Sequence, residues 1–132
     1  MDLFAVLRKK RILLIDDDEW IRNSLTLFFE AEGCRLEALE TAEEALEVME
    51  RRAYDIIIVD YKLPGMDGLA FLKVIAPEHE RTLKILITAY ASKELFSESR
   101  KLGIHEFIEK PFTSEVLENA LSRALGVAGD EG

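Results

Sequence analysis

A chain of 132 residues has room for one compact domain, and 48% hydrophobic with 33% charged residues gives a globular rather than a disordered composition. The formal net charge of −9 argues against gripping nucleic acid through its phosphates, and no apolar run approaches the roughly 20 residues of a bilayer span. A lone cysteine, Cys34, excludes an internal disulfide and agrees with a reducing cytoplasm, as does an opening MDLFAVLRKKR that reverses the layout of a secretory signal.

Residues 1–10 read as an N-terminal extension, in which Leu3, Phe4 and Leu7 are expected either to pack as an extra helical turn or to be partly ordered. The run RILLI (11–15) is near-continuous aliphatic, the pattern of a parallel strand covered on both faces. It runs straight into three aspartates and a glutamate, of which Asp17 or Asp18 is suited to cap the helix carrying Ile21, Leu25 and Phe28. Gly33 marks that helix's end, and CRLEAL (34–39) alternates as a sheet-edge strand does. Thr41 with Glu44 forms a capping box before Ala45, Leu46 and Met49.

DIIIVD (55–60) and LKILIT (83–88) are again buried-strand runs. Between them LPGMDG (63–68) has the residues of a tight turn, with Asp67 as N-cap for Leu69, Leu72 and Ile75. Ser92 opens a segment carrying Leu95 and Leu102, and Gly103 closes it. IHEFIE (104–109) alternates like a second edge strand, and Thr113 opens a helix with Val116, Leu117, Ala120, Leu121 and Ala124. GVAGDEG (126–132) reads as a frayed C-terminal tail.

Strand and helix thus alternate five times over residues 11–125. That order implies a flavodoxin-like α/β fold: a parallel sheet of order 2-1-3-4-5 with helices on both faces. Ligands of such sheets bind beyond the carboxyl ends of the strands. Those ends carry Asp16 and Asp17, then Asp60, Thr88 and Lys110. The first and third strands are neighbours in this order, so their aspartates converge, and three carboxylates within a few ångströms repel by several kcal/mol at an effective dielectric of about 20. A divalent cation relieves that repulsion, and oxygen-only ligation suits Mg²⁺. Taken singly, Asp60 reads as an ordinary strand-end residue, Thr88 as structural and Lys110 as a solvated charge. It is their joint placement along one rim that points to chemistry.

IDDDEW, VDYKLPGMDG, ITAY and EKPF resemble the signatures of response-regulator receiver domains of two-component signalling, over residues 11 to 125. The resemblance implies a switch protein rather than an enzyme, cytoplasmic, taking a phosphoryl group from a sensor histidine kinase or a histidine phosphotransfer protein. On that mapping Asp60 is the phosphoacceptor. Asp17 binds Mg²⁺ directly and Asp16 largely through water, joined by Asp60 and the backbone carbonyl of Lys62. Lys110 and Thr88 contact the phosphoryl oxygens, small Ala89 keeps the approach open, and the Lys110–Pro111 bond is cis as in similar proteins. Thr88 and Phe107 form the switch, with Phe107 where many members carry tyrosine. Lys62 and Tyr90 occupy the two positions that tune phosphate lifetime, and their bulk implies a long-lived phosphate. The output face comprises residues 92–102, the fifth strand and residues 113–125, acting on a downstream protein or on an output domain outside this sequence, with no direct role for nucleic acid or membrane.

Two rival readings remain at this stage. A haloacid-dehalogenase-like phosphatase would use Asp16 and Asp18 with Mg²⁺, but it needs a late acidic pair and leaves Asp60 without a role. A degenerate receiver acting only as a binding module is opposed by the intact Asp16, Asp17, Asp60, Thr88 and Lys110. His79 and His105 are far apart with no cysteine partner, which disfavours zinc, and Cys34 reads as a small buried group rather than a reactive thiol. Trp20 follows Asp17 by three residues and is expected either at the pocket rim or against the helix.

Overall fold

The computed structural model describes residues 2–127. The elements run α1 (Leu3–Leu7), β1 (Arg11–Ile15), α2 (Glu19–Ala31), β2 (Arg35–Leu39), α3 (Ala42–Met49), β3 (Ile56–Asp60), α4 (Gly68–Ile75), β4 (Leu83–Thr88), α5 (Lys93–Lys101), β5 (Glu106–Glu109) and α6 (Ser114–Leu125). All strand pairs are parallel, in the order β2-β1-β3-β4-β5, so β2 and β5 are the edges as their alternation implies.

The local signals act as their chemistry requires. Asp18, not Asp17, caps α2 by accepting the Trp20 N–H, and Asp67, Ser92 and Thr113 cap α4, α5 and α6. The Thr41–Glu44 capping box is present in both directions. Gly33 and Gly103 adopt the left-handed conformation that ends a helix.

Successive strand residues point to opposite faces, so each aliphatic run feeds two cores. Ile12, Leu14, Ile56, Ile58, Ile85 and Ile87 pack with Leu25, Phe29, Leu117 and Leu121 on one side. Leu13, Ile15, Ile57, Val59 and Leu86 pack with Ala45, Phe71, Leu72 and Leu95 on the other. The extension over residues 1–10 contributes α1 to the first of these cores: Leu3 and Leu7 are buried, and the Phe4 ring meets Phe28 edge-to-face at 5.9 Å. Gly126 ends α6 in the left-handed conformation, and the rest of the C-terminal tail, residues 128–132, lies outside the described residues.

Four sequence expectations shift. Cys34 and Asp55 precede their strands by one residue, and β5 starts at Glu106 rather than 104. At this last point the His105 ring replaces a strand carbonyl: its Nδ1 accepts the Lys84 N–H at 3.1 Å, while the His105 backbone N–H donates to the Lys84 carbonyl at 2.7 Å. Val116, placed by spacing on the apolar face of α6, is exposed in the first helical turn. The burial of Cys34 holds, and burial pushes its thiol above the ordinary range, which suppresses thiolate chemistry.

Lys84 interrupts the aliphatic β4 yet is buried. Its ammonium donates to the carbonyls of His79 (2.6 Å) and Thr82 (3.0 Å), and burial lowers its pKa. This polar contact fastens the turn after α4 to the amino-terminal rim of the sheet, away from the aspartates.

Because Leu7 is fully buried, Leu7→Ala is expected to cost about 2–4 kcal/mol in urea unfolding despite lying outside the five βα units. An unchanged midpoint would show α1 to be dispensable.

Candidate functional site

Parallel pairing brings the carboxyl ends of β1, β3 and β4 to one rim, where Asp60 and Thr88 end their strands and Asp16 follows Ile15. Asp16 and Thr88 are fully buried, Asp60 is 4% exposed, and Asp17 is exposed. One carboxylate oxygen from each of Asp16, Asp17 and Asp60 falls within 4.8 Å of the others. The Lys110 ammonium, delivered by the residue after β5, lies 3.1 Å from Asp60 Oδ2 and 3.0 Å from Asp16 Oδ2. The sequence-derived constellation is therefore assembled in one place.

The β1–α2 turn explains how Asp17 stays available. Asp16 Oδ1 accepts the Asp18 N–H, Asp18 Oδ1 accepts the Trp20 N–H, and Arg22 donates to the Asp16 carbonyl at 2.9 Å. Lys110 meets Asp16 as an ion pair without an aligned hydrogen bond, which leaves the buried Asp16 Oδ2 with no donor. Such an orphan oxygen beside two further carboxylates is a donor set that fits a hard divalent cation.

Electrostatics at the site are strained. Burial and the charge of Asp16 push the Asp60 carboxyl up to about 6, against the opposing pull of Lys110 and the Lys62 backbone. Burial opposes the charge on Lys110, but contact with Asp16 and Asp60 outweighs it and holds the ammonium above its ordinary range.

Around this centre, Thr88 Oγ1 accepts the Tyr90 N–H at 2.8 Å, and Lys110 N–H donates to the Thr88 carbonyl at 2.8 Å. The Lys110–Pro111 bond is cis. Lys62 and Tyr90 touch: the Lys62 ammonium lies 5.4 Å from the centre of the Tyr90 ring. Phe107 is half-buried and meets Phe96 edge-to-face at 5.5 Å. Trp20 stands at the rim, 75% exposed, on a groove of about 510 Å³ that also involves Asp18, Ala89 and Lys110. His79 and His105 lie at the opposite rim.

Sequence reasoning missed Gly68. A Cβ there would stand 2.3 Å from the Asp60 carbonyl and 2.9 Å from Tyr61 Cα, so only glycine lets α4 start against the residue that matters most. Its N–H donates to the Tyr61 carbonyl at 2.8 Å. The signal was the glycine directly after a helix-capping aspartate, where a turn alone needs none.

The family model for the response regulator receiver domain matches residues 12–122. The chain belongs to the receiver domains of two-component response regulators, a class that implies phosphorylation-dependent switching. It is 31% identical over 116 residues to sporulation initiation phosphotransferase F of Bacillus subtilis (strain 168), covering 88% of this chain and 94% of that one. It is 32% identical to the regulatory protein AtoC of Escherichia coli (strain K12), covering 87% of this chain but only 25% of that longer protein. Among solved structures, the signal receiver domain of an HD domain-containing protein from Pseudomonas fluorescens Pf-5 superposes with a TM-score of 0.83 at 30% identity, covering 90% of this chain and 96% of that one. The non-phosphorylated HemR receiver domain from Leptospira biflexa gives 0.83 at 28% identity, covering 94% and 100%.

The raised carboxyl of Asp60 yields a signed prediction. Between its ordinary value of 3.8 and about 6 the folded chain holds a proton that the unfolded chain has released, so stability falls as pH rises through that window. Without divalent cations, Asp60→Asn should be more stable than wild type by on the order of 2–3 kcal/mol at about pH 7.5, and the gap should close at about pH 4. Thermal melts in chelator at both pH values check this; equal melting at the higher pH would remove the claim of strain.

Proposed function

We propose that this domain accepts a phosphoryl group on Asp60 from a phosphohistidine of a sensor histidine kinase or histidine phosphotransfer protein, and that the modification alters which partner its surface binds. The observation that carries this reading is the Lys110 ammonium within 3.1 Å of two buried carboxylates, Asp60 and Asp16, with Asp17 beside them. Deprotonated Asp60 is the nucleophile: its oxygen bonds to phosphorus as the bond to the donor nitrogen breaks. Asp16, Asp17, Asp60 and the Lys62 carbonyl are the groups to hold Mg²⁺, which when bound offsets charge between the carboxylate and the incoming anion. Lys110 pairs with the phosphoryl oxygens from the position where it now pairs with Asp60. Thr88 turns its hydroxyl from accepting the Tyr90 N–H to donating to the phosphoryl group.

The inward movement of Thr88 vacates space for Phe107, which has no hydroxyl and so holds its place by packing alone. The output face is α5, β5 and α6, where Phe96, Phe107 and the Glu106–Arg123 ion pair (2.9 Å) lie. A phosphoryl group shifts this equilibrium only by its differential affinity for the two states. The protein acts as a phosphoacceptor in the cytoplasm, with any catalysis limited to its own phosphorylation and dephosphorylation. No described helix is long and apolar enough to cross a membrane.

Acetyl phosphate tests the assignment. With Mg²⁺ present, mass spectrometry is expected to find a single phosphoryl group on Asp60, abolished in Asp60→Asn and by chelator. Label on Asp16 would instead favour a phosphatase, and no label a bare binding module. The Lys62–Tyr90 contact also implies slow loss of phosphate, on a scale of hours, and Tyr90→Ala should shorten it; loss within seconds from the wild-type protein would refute the shielding role.

A further inference from the structure

The loop that follows Asp60 is held at both of its ends, and only one of these holds belongs to a position named above. At the near end Lys62 rests on Tyr90. At the far end the Met66 N–H donates to Glu43 Oε2 at 3.0 Å, across 23 residues of sequence. Between Leu63 and Met66 this is the one hydrogen bond made by the loop backbone among the described residues.

Two further observations show that the contact is built in. Gly65 takes the left-handed conformation (φ +72°), and a Cβ there would stand 2.8 Å from Glu43 Oε2, so the carboxylate packs against a bare α-carbon. Glu43 is also spared from capping its own helix, because Glu44 closes the capping box with Thr41.

We propose that Glu43 is a positioning residue that keeps the Lys62–Met66 loop closed over Asp60 and thereby slows hydrolysis of the aspartyl phosphate. This rests on the phosphoacceptor reading of Asp60. In hydrolysis a water oxygen bonds to phosphorus and the bond from phosphorus to the Asp60 oxygen breaks. The Asp60 carboxylate returns, inorganic phosphate leaves with the water's hydroxyl, and one proton passes to solvent. The closed loop stands in the way of that water, through Lys62 at its near end and the tie to α3 at its far end. Glu43 touches neither phosphate nor metal; it acts through the loop.

The test compares wild type, Glu43→Ala and Glu43→Gln, each phosphorylated with acetyl phosphate and Mg²⁺ and then stripped of donor. Phosphate-affinity gels follow the decay, and hydrogen exchange reads the Met66 amide directly. Glu43→Ala should lose phosphate about three to ten times faster, the value of one ordinary solvent-exposed hydrogen bond, with a faster-exchanging Met66 amide. Glu43→Gln keeps an acceptor oxygen and should stay within about twofold of wild type on both readouts. A wild-type decay in Glu43→Ala, or a Glu43→Gln variant as fast as Glu43→Ala, overturns the inference. Should Glu43→Ala melt early, Glu43→Met keeps the bulk and helix propensity while lacking the acceptor, and the same outcomes apply. Failure of the wild-type protein to take label on Asp60 overturns the phosphoacceptor reading and this inference with it, whereas normal labelling with unchanged decay overturns this inference alone.

Discussion

The placement of one ammonium group governs the site. Asp16 and Asp60 are both buried, and two carboxylates so close cannot both stay ionised unless a cation stands between them. Lys110 is that cation within the chain itself, yet it answers the two unequally: aligned with Asp60, misaligned with Asp16. Its charge limits the repulsion without removing it, and Asp60 remains well above the ordinary carboxylate range. A pocket left in this state favours whatever positive charge can reach Asp16 and Asp17, while Asp60 keeps an oxygen for chemistry. Removing Lys110 is the costly way to break this arrangement, because two buried carboxylates are then left without a compensating charge.

The sheet makes this possible without any specialised local structure. Parallel strands in register deliver their final residues to one line, so four short segments separated by up to about a hundred residues need only end at the same level. The helices then differ in task. Those packed with β1, β3 and β4 against Leu25, Phe29 and Leu121 complete a core; those on the other side also carry the connections around Asp60.

Much of this is legible in the sequence because it depends on period and position. Continuous aliphatic runs at 11–15, 55–60 and 83–88 against alternating ones at 34–39 and 104–109 give the centre and edges of the sheet, and the polar residue ending each run gives the rim. What escapes is contact between segments far apart in the chain. Nothing local marks Glu43 as meeting Met66, or Arg22 as meeting the Asp16 carbonyl, because an acid in a first helical turn and an arginine on an amphipathic helix are both commonplace. Gly68 hides for a related reason: its necessity comes from the backbone of Asp60 and Tyr61, not from its own conformation. The early start assigned to the fifth strand fails because a histidine ring imitates a main-chain acceptor, which periodicity cannot register.

The buried ammonium of Lys84 restricts how this chain can vary. Its ammonium donates to two carbonyls, those of His79 and Thr82, in a position with almost no room. An apolar replacement strands the Thr82 carbonyl and takes the charged donor from that of His79, which keeps only the Thr82 N–H. Divergence at this point therefore has to be concerted: the turn over 79–82 must be rebuilt before or together with residue 84. That makes the pair a locked combination in sequence space, one in which each half is neutral only in the presence of the other.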